Sequence, residues 1–152
     1  MKNKFIFYLL SFTWGLPMTL LGCLATAVLM IAGKKPKMYG WCWYFEIGEK
    51  WGGLSLGPVL LVYKDASDRI KIHEVGHAVQ NIRYGLLMPF LVGIPSMIRY
   101  WYRAFRNYIA RPCTTGYYDI WFEAEADRLG TKLMVGIPAI FVDVMYRKYG
   151  IR

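Results

Sequence analysis

The strongest pattern in the chain is an uncharged apolar segment close to the N-terminus. Residues 5–33 form a run of twenty-nine without a charged side chain, longer than the roughly 20 residues that a helix needs to cross the hydrocarbon of a bilayer. The run predicts an N-terminal transmembrane helix, kinked near Gly15 and Pro17. Two alternatives are a secretory signal cleaved after Ala27 and a shallow hairpin produced by a split at the kink.

The pattern changes between residues 38 and 64, where aromatic and β-branched residues predominate. The stretches 39–47 and 57–63 predict two strands. Glycines punctuate the connection between them, among them Gly52 and Gly53, and favour tight turns. The predicted result is a small β-hairpin.

Helical signals follow the second strand. Ser67 or Asp68 is placed to cap a helix that is predicted to reach about Tyr84 and to end at Gly85. A further helix is predicted to open at residues 117–119 and to continue through 121–130. These elements together predict a mainly α fold with a small β-hairpin, of the α+β class.

Two apolar segments fit neither an ordinary helix nor a strand. Residues 86–98 form a thirteen-residue apolar run broken by Pro89 and Pro95. The run is too short to span a bilayer and predicts a re-entrant or interfacial segment, with a buried core segment as the alternative. Residues 134–147 carry a similar Val-Gly-Ile-Pro sequence, which indicates a second interfacial element or a chance similarity of apolar stretches.

Composition strengthens the case for membrane contact. The chain is 56% hydrophobic and 17% aromatic, with a formal net charge of +9, a combination that favours anionic lipid as a partner. Residues 99–111 interleave four arginines with aromatic side chains, as is typical at headgroup level. The same pattern can stack on single-stranded nucleic acid, but no nucleic-acid-binding motif accompanies it. We therefore expect a lipid bilayer as partner and no nucleic acid.

The cysteines and the basic residues bear on the side of the membrane. Cys23, Cys42 and Cys113 are widely spaced and include no Cys-x-x-Cys pair, so they predict reduced thiols and neither a disulfide framework nor a thiolate zinc site. The basic excess after the apolar run points to a cytoplasmic domain by the positive-inside rule. The oligomeric state is not predicted.

The candidate chemistry begins with His-Glu-Val-Gly-His at residues 73–77. Residues four apart share a helix face, so His73 and His77 can bind one metal ion. Glu74 is placed to take a proton from a water on that ion. These are the only two histidines in the sequence. A chance match, or a degenerate site without metal, is the alternative.

Acidic residues on the later helix supply the second half of the site. Glu123 and Asp127 are four apart and share a face. Glu123 can be the third ligand, which gives the His₂Glu set of a catalytic zinc site, and Asp127 can accept the N–H of a ligating histidine. Glu125 lies off this face and is the less favoured ligand.

These two motifs, HEVGH at 73–77 and EAEADRLG at 123–130, resemble the gluzincin pattern. The resemblance is closest to the HtpX-like and CAAX-prenyl-endopeptidase family of membrane metallopeptidases, in which a Glu-x-x-Ala-Asp motif follows the zinc helix. It implies a zincin-like metal-binding helix pair and one zinc ion held by His73, His77 and Glu123. It also implies endopeptidase activity on membrane or lipidated proteins. The likeness is confined to the two motifs, and this chain is small with one predicted span, so the substrate class is not carried over.

Zincins also commonly carry a strand ahead of the metal-binding helix, and its edge can bind an extended peptide through main-chain hydrogen bonds. The segment Leu54–Tyr63 is the candidate for that strand. A hairpin that only covers the core is the alternative.

The sequence thus predicts a membrane anchor at residues 1–37 and a zincin-like metallopeptidase domain at 38–152, with interfacial segments at about 86–111 and 134–147. Glu74 would act as general base while zinc activates water for hydrolysis of a protein or peptide substrate. Tyr117 or Tyr118 is the candidate oxyanion stabiliser.

Two other functions are compatible with the same residues. One is a non-catalytic membrane protein with a structural zinc site or a partner-binding role. The other is a zinc hydrolase of a non-peptide substrate. An open fourth coordination position with a groove beside it would favour catalysis.

Overall fold

The computed structural model describes residues 3–49, 51–111, 113–114, 116 and 119–135. Over these residues the fold is mainly helical with a small mixed four-stranded sheet, which confirms the predicted α+β class. The predicted interfacial segment 134–147 lies outside the described residues except for its first two positions, and Tyr117 and Tyr118 also lie outside them.

The N-terminal apolar segment forms two helices instead of the single one predicted. Helix α1 spans Lys4–Phe12 and helix α2 spans Leu16–Ile31, and they are bent by 94° at the break. Pro17 lies in the first turn of α2, where its missing N–H removes no helical hydrogen bond. The side-chain amide of Asn81 donates to the backbone oxygen of Gly15 within the break. The kink predicted near Gly15 and Pro17 is therefore present as a break at which the two helices are nearly perpendicular.

Helices α1 and α2 are buried on one side and exposed on the other. Phe7 and Met18 are buried in core clusters, whereas Phe5, Leu24 and Ile31 are 71%, 64% and 88% exposed. Within the described residues no single helix has both the length and the apolar composition needed to cross a membrane. Two bent pairs meet that test only when their members are combined, α1 with α2 and residues 68–87 with 89–108.

The sheet consists of β1 (Lys37–Tyr39), β2 (Cys42–Glu46), β3 (Gly53–Leu56) and β4 (Val59–Val62), in the order β1-β2-β4-β3. Strands β3 and β4 form an antiparallel hairpin, and β2 pairs in parallel with β4. The hairpin turn is closed by Gly57 at a φ of 63° and Pro58, the positive φ that a two-residue turn requires. The single strand predicted at 39–47 is instead two strands, because Gly40 at a φ of 58° turns the chain.

Helix α3 spans Asp68–Tyr84 and carries the His-Glu-Val-Gly-His segment. It ends at Gly85, as predicted, with a φ of 57° that favours glycine. The Trp14 ring lies against Gly85 so closely that a Cβ there would overlap it. The end of α3 is thus fixed by the break between α1 and α2.

The apolar run after α3 is helical, and it bends by 118° at the break between Leu87 and Pro89, where the sequence predicts a break. A 3₁₀ turn at Gly85–Leu87 and a π-helical turn at Pro89–Gly93 lead into helix α4, Ile94–Tyr108. Pro89 and Pro95 each lie in the first turn of their element, where proline is compatible with helical geometry. Pro89 therefore starts a helical stretch directly after the bend, whereas Pro95 lies within that stretch and does not interrupt it.

Helix α5 spans Trp121–Val135 and crosses α3 at very short range. A Cβ added at Gly76 would overlap the backbone oxygen of Ala126, and one added at Gly130 would overlap that of Ile72. The two glycines let the helix backbones touch. This contact brings the histidines of α3 and the carboxylates of α5 to one place.

Candidate metal centre

Three potential ligand atoms meet where α3 crosses α5. Nε2 of His73 lies 3.1 Å from Nε2 of His77 and 3.0 Å from Oε2 of Glu123, and the remaining side of the triangle is 3.4 Å. Tetrahedral zinc with bonds of 2.0–2.1 Å separates its ligand atoms by about 3.3 Å. All three residues are buried. They form a group that can hold a metal ion.

The second nitrogen of His73 is held by Asp127. Nδ1 lies 2.7 Å from Oδ1 of Asp127, and because an ionised carboxylate only accepts hydrogen bonds, Nδ1 must donate its N–H. The neutral imidazole then has its lone pair on Nε2. That atom is the one facing the other two ligands, so the contact selects the tautomer suited to metal binding.

His77 is fixed in the same way by a residue one turn further along α3. The Gln80 side-chain nitrogen donates to the backbone oxygen of Phe122 at 2.8 Å and to Oε2 of Glu125 at 3.0 Å. Both partners are acceptors, so the amide orientation is determined, and Oε1 faces Nδ1 of His77 at 2.8 Å. Nδ1 of His77 must therefore donate, which leaves Nε2 free to bind an ion.

The two carboxylate oxygens of Glu123 also differ in role: one is hydrogen-bonded to another side chain, and the other faces the two histidines. Its Oε1 accepts a hydrogen bond of 2.7 Å from Oγ of Ser96 on α4. Its Oε2 is buried and makes no hydrogen bond of acceptable geometry, although both imidazoles face it. A buried carboxylate oxygen in this state costs free energy, and a cation among the three ligand atoms would satisfy it.

The charges of the metal-free site follow from burial and contact. Burial lowers the pKa of His73, but its close contacts with the carboxylates of Asp127 and Glu123 outweigh this effect and raise the pKa to about 10. Burial raises the pKa of Glu123, and the two imidazoles outweigh that effect, so its pKa is lowered. Without an ion, a protonated His73 therefore balances an ionised Glu123. A metal ion would replace that proton.

Glu74 lies beside the ligands with its side chain directed toward β3. It is buried, and a Cβ added at Gly53 would overlap its carboxyl group. Burial raises its pKa, with His77 and His73 opposing that effect. A carboxyl group whose pKa is shifted upward toward neutrality is suited to taking up and returning a proton.

A cleft of ≈ 840 Å³ opens beside the site and is lined by His73, His77 and Glu74. One wall is the strand region 51–56, and the other is formed by residues of the segment 88–107. Most of the remaining lining is apolar, as in typical ligand sites. The two histidines and the carboxyl group are therefore reachable from one continuous space.

The wall formed by β3 presents main-chain groups to this cleft. The N–H of Tyr63 donates to the oxygen of Gly52, and the N–H of Ile47 donates to the oxygen of Val62. Alternation along an antiparallel pair then directs the N–H and C=O groups of Gly53 and Ser55 away from β4. Within the described residues β3 is the last strand of the sheet. Its outer edge is thus a place where an extended chain can pair.

The structure brings together five of the residues singled out from sequence, namely His73, Glu74, His77, Glu123 and Asp127. Glu125 lies away from the ligand atoms and contacts Gln80, Arg83 and Tyr84.

Two contributors were missed in the sequence. Gln80 follows His77 by three residues, a spacing that places both on one helix face and could have been noticed. Ser96 gave no local signal, because its hydrogen bond joins it to Glu123, 27 positions later in the chain.

Comparison with family models, with curated proteins and with solved structures returns no match. Function is therefore inferred from the geometry of the site.

Proposed function

We propose that this protein is a membrane-associated zinc-dependent endopeptidase. The observation that carries the proposal is the buried triangle of His73 Nε2, His77 Nε2 and Glu123 Oε2, with sides of 3.0–3.4 Å. Two nitrogen ligands and one carboxylate oxygen form the set typical of catalytic zinc, which keeps a fourth position for water or substrate. Within the described residues, no other histidine, cysteine or acidic side chain joins these three as a fourth ligand. This favours a catalytic ion over a structural one.

Each protein group has a defined part in the reaction. A bound zinc ion lowers the pKa of water towards neutrality and polarises a carbonyl. Glu74 accepts a proton and returns it to the leaving amine, a role that fits its raised pKa and its place beside the ligands. Asp127 and Gln80 hold the histidines in the tautomer that binds metal.

The exposed edge of β3 favours a peptide substrate over a non-peptide ester or amide. Gly53 and Ser55 offer alternating donors and acceptors along the cleft, next to Glu74. An extended peptide paired with this edge gains main-chain hydrogen bonds that do not depend on its sequence. The scissile bond would then lie over the metal ligands.

Membrane association is supported by the apolar surface of the described residues. On α1 and α2, large apolar side chains are half or more exposed at Phe5, Phe12, Leu20, Leu21, Leu24, Val28, Met30 and Ile31. Exposed apolar patches of this extent mark contact with a membrane or another protein. The net charge of +9 favours an anionic surface.

The test is the cleavage of a membrane-derived peptide by purified Glu74→Gln protein. General acid–base catalysis contributes about 10²- to 10⁴-fold, so we expect a loss of that order in kcat with the bound metal retained. Glu49→Gln is the matched control, because Glu49 is an exposed carboxylate outside the cleft. A Glu74→Gln protein that cleaves as fast as wild type would rule out the mechanism.

A further inference from the structure

Helix α4 has one apolar face that the rest of the described chain leaves exposed. No side chain of α4 is buried. Successive turns place six large residues on this face, and they are between 43% and 88% exposed: Ile94, Met97, Ile98, Trp101, Phe105 and Tyr108. Packing against the described part of the chain therefore contributes little to holding α4 in place.

The opposite face of α4 is polar and basic. It carries Arg99, Arg103 and Arg106 together with Ser96 and Asn107. The sequence from residue 86 to residue 118 contains four arginines and no acidic residue. A helix with an aromatic apolar face and arginines on the other face has the character of one that lies in the interface of an anionic bilayer.

The polar face of α4 is also the part of the helix that reaches the metal site. Oγ of Ser96 donates to Oε1 of Glu123 at 2.7 Å, and Oε2 of the same carboxylate faces the two histidines. Ser96, Arg103 and Asn107 line the cleft, and so do Ile94, Met97 and Trp101 from the edge of the apolar face. Ser96 on the polar face thus contacts a metal ligand, while the apolar face is exposed and one edge of it borders the cleft.

We propose that α4 docks on an anionic lipid bilayer through its apolar face, and that docking holds Ser96 against Glu123, so that the bilayer and the metal ion bind cooperatively. This inference rests on the proposed function, because it requires an ion at the site. Coupling of this kind is reciprocal: a bilayer that strengthens metal binding is itself bound more tightly by the metal-loaded protein.

The test compares zinc affinity in two lipid environments. The full chain is reconstituted in nanodiscs of phosphatidylcholine, with or without phosphatidylglycerol, and zinc binding is measured by competition with a fluorescent chelator. Coupling energies of this type correspond to about 5-fold or more in affinity, so wild type should bind zinc at least that much more tightly in the anionic disc. Equal affinity in both discs would overturn the proposal.

Variants assign the effect to α4. In Ser96→Ala the difference in zinc affinity between the two discs should vanish, although the protein still binds zinc. Phe105→Glu, on the apolar face, should also abolish the difference, whereas Thr114→Glu adds the same charge at an exposed position outside α4 and the cleft and should retain most of it. A Ser96→Ala protein that keeps the full difference would overturn the coupling.

A second measurement addresses docking itself. The Trp101 contribution to fluorescence, obtained as wild type minus Trp101→Phe, should be quenched by brominated lipid in the anionic disc. An unquenched Trp101 would overturn docking. Zinc binding without lipid dependence would leave the proposed function standing, whereas wild type that binds no zinc in either disc would overturn both.

Discussion

The amide oxygen of Gln80 lies 2.8 Å from Nδ1 of His77, one turn away on α3. Gln80 is fully buried, and its nitrogen is committed to two acceptors on α5, the backbone oxygen of Phe122 and the carboxylate of Glu125. The amide cannot rotate without losing both. The contact between the two helices therefore sets which nitrogen of His77 is presented to a metal ion.

Replacement of Gln80 by Met should weaken zinc binding. Met has a similar length but no strong acceptor for the N–H of His77 and no donor for Glu125, so the imidazole loses its fixed tautomer. Loss of such a partner typically costs about 10- to 100-fold in metal affinity. A chelator competition titration measures the change.

Arg83→Gln is the control for this variant. Arg83 is half exposed and contacts the other oxygen of Glu125, so its removal should cost no more than about 1 kcal/mol and leave zinc affinity close to wild type. Wild-type affinity in Gln80→Met would contradict the role given to the amide.

The helix contact at Gly76 should be intolerant of a single methyl group. In Gly76→Ala the new Cβ meets the backbone of Ala126, which cannot rotate away as a side chain would, so we expect a loss of at least about 1–3 kcal/mol in the free energy of unfolding. Gly93→Ala is the matched control, because its Cβ would meet only Met88 O at 3.7 Å. Denaturation of both proteins in one detergent measures the difference, and equal stabilities would contradict the close crossing.

Zinc binding should release about one proton near neutral pH. The pKa of His73 is raised to about 10 in the metal-free protein, so the stability it contributes is complete below about pH 6.5 and is lost as the pH rises towards 10. Glu123 has a lowered pKa and is already ionised. Calorimetry in buffers of different ionisation enthalpy measures the proton count. Zinc affinity that does not rise between about pH 6 and 8 would contradict this balance.

The edge of β3 can be tested by removing one donor. The N–H of Ser55 points away from β4, so Ser55→Pro should keep the sheet and remove a hydrogen bond to a bound peptide, which costs about 0.5–1.5 kcal/mol, or about 2- to 12-fold in kcat/KM. Ser55→Ala removes the hydroxyl and keeps the N–H, so it should cleave like wild type. Equal rates for the two folded variants would place the substrate elsewhere.

The sequence was informative wherever spacing along one helix determined the outcome. The limits of α3, from Asp68 to Tyr84, followed from the capping signals, and the four-residue spacings predicted which of His73, His77, Glu123 and Asp127 share a face. The α+β class followed from the same reasoning. These are local properties that propensity and periodicity report.

The remaining features depend on contacts between distant segments. The bend between α1 and α2 is stabilised by a hydrogen bond from the side chain of Asn81 to Gly15, which lies 66 positions earlier in the chain. The parallel pairing of β2 with β4 and the contact of Ser96 with Glu123 likewise leave no trace in local sequence. The break predicted at Pro89 is present, but the one predicted at Pro95 is wrong, because the effect of a proline depends on where its helical turn begins.

The most direct test of the central claim is the zinc content of the purified full chain, measured by elemental analysis beside that of His77→Ala and Glu74→Gln. We predict one zinc ion per chain in wild type and in Glu74→Gln, because Glu74 is not a ligand, and a loss of zinc in His77→Ala. Wild type without zinc after incubation with the ion, or His77→Ala with a full equivalent, would contradict the site.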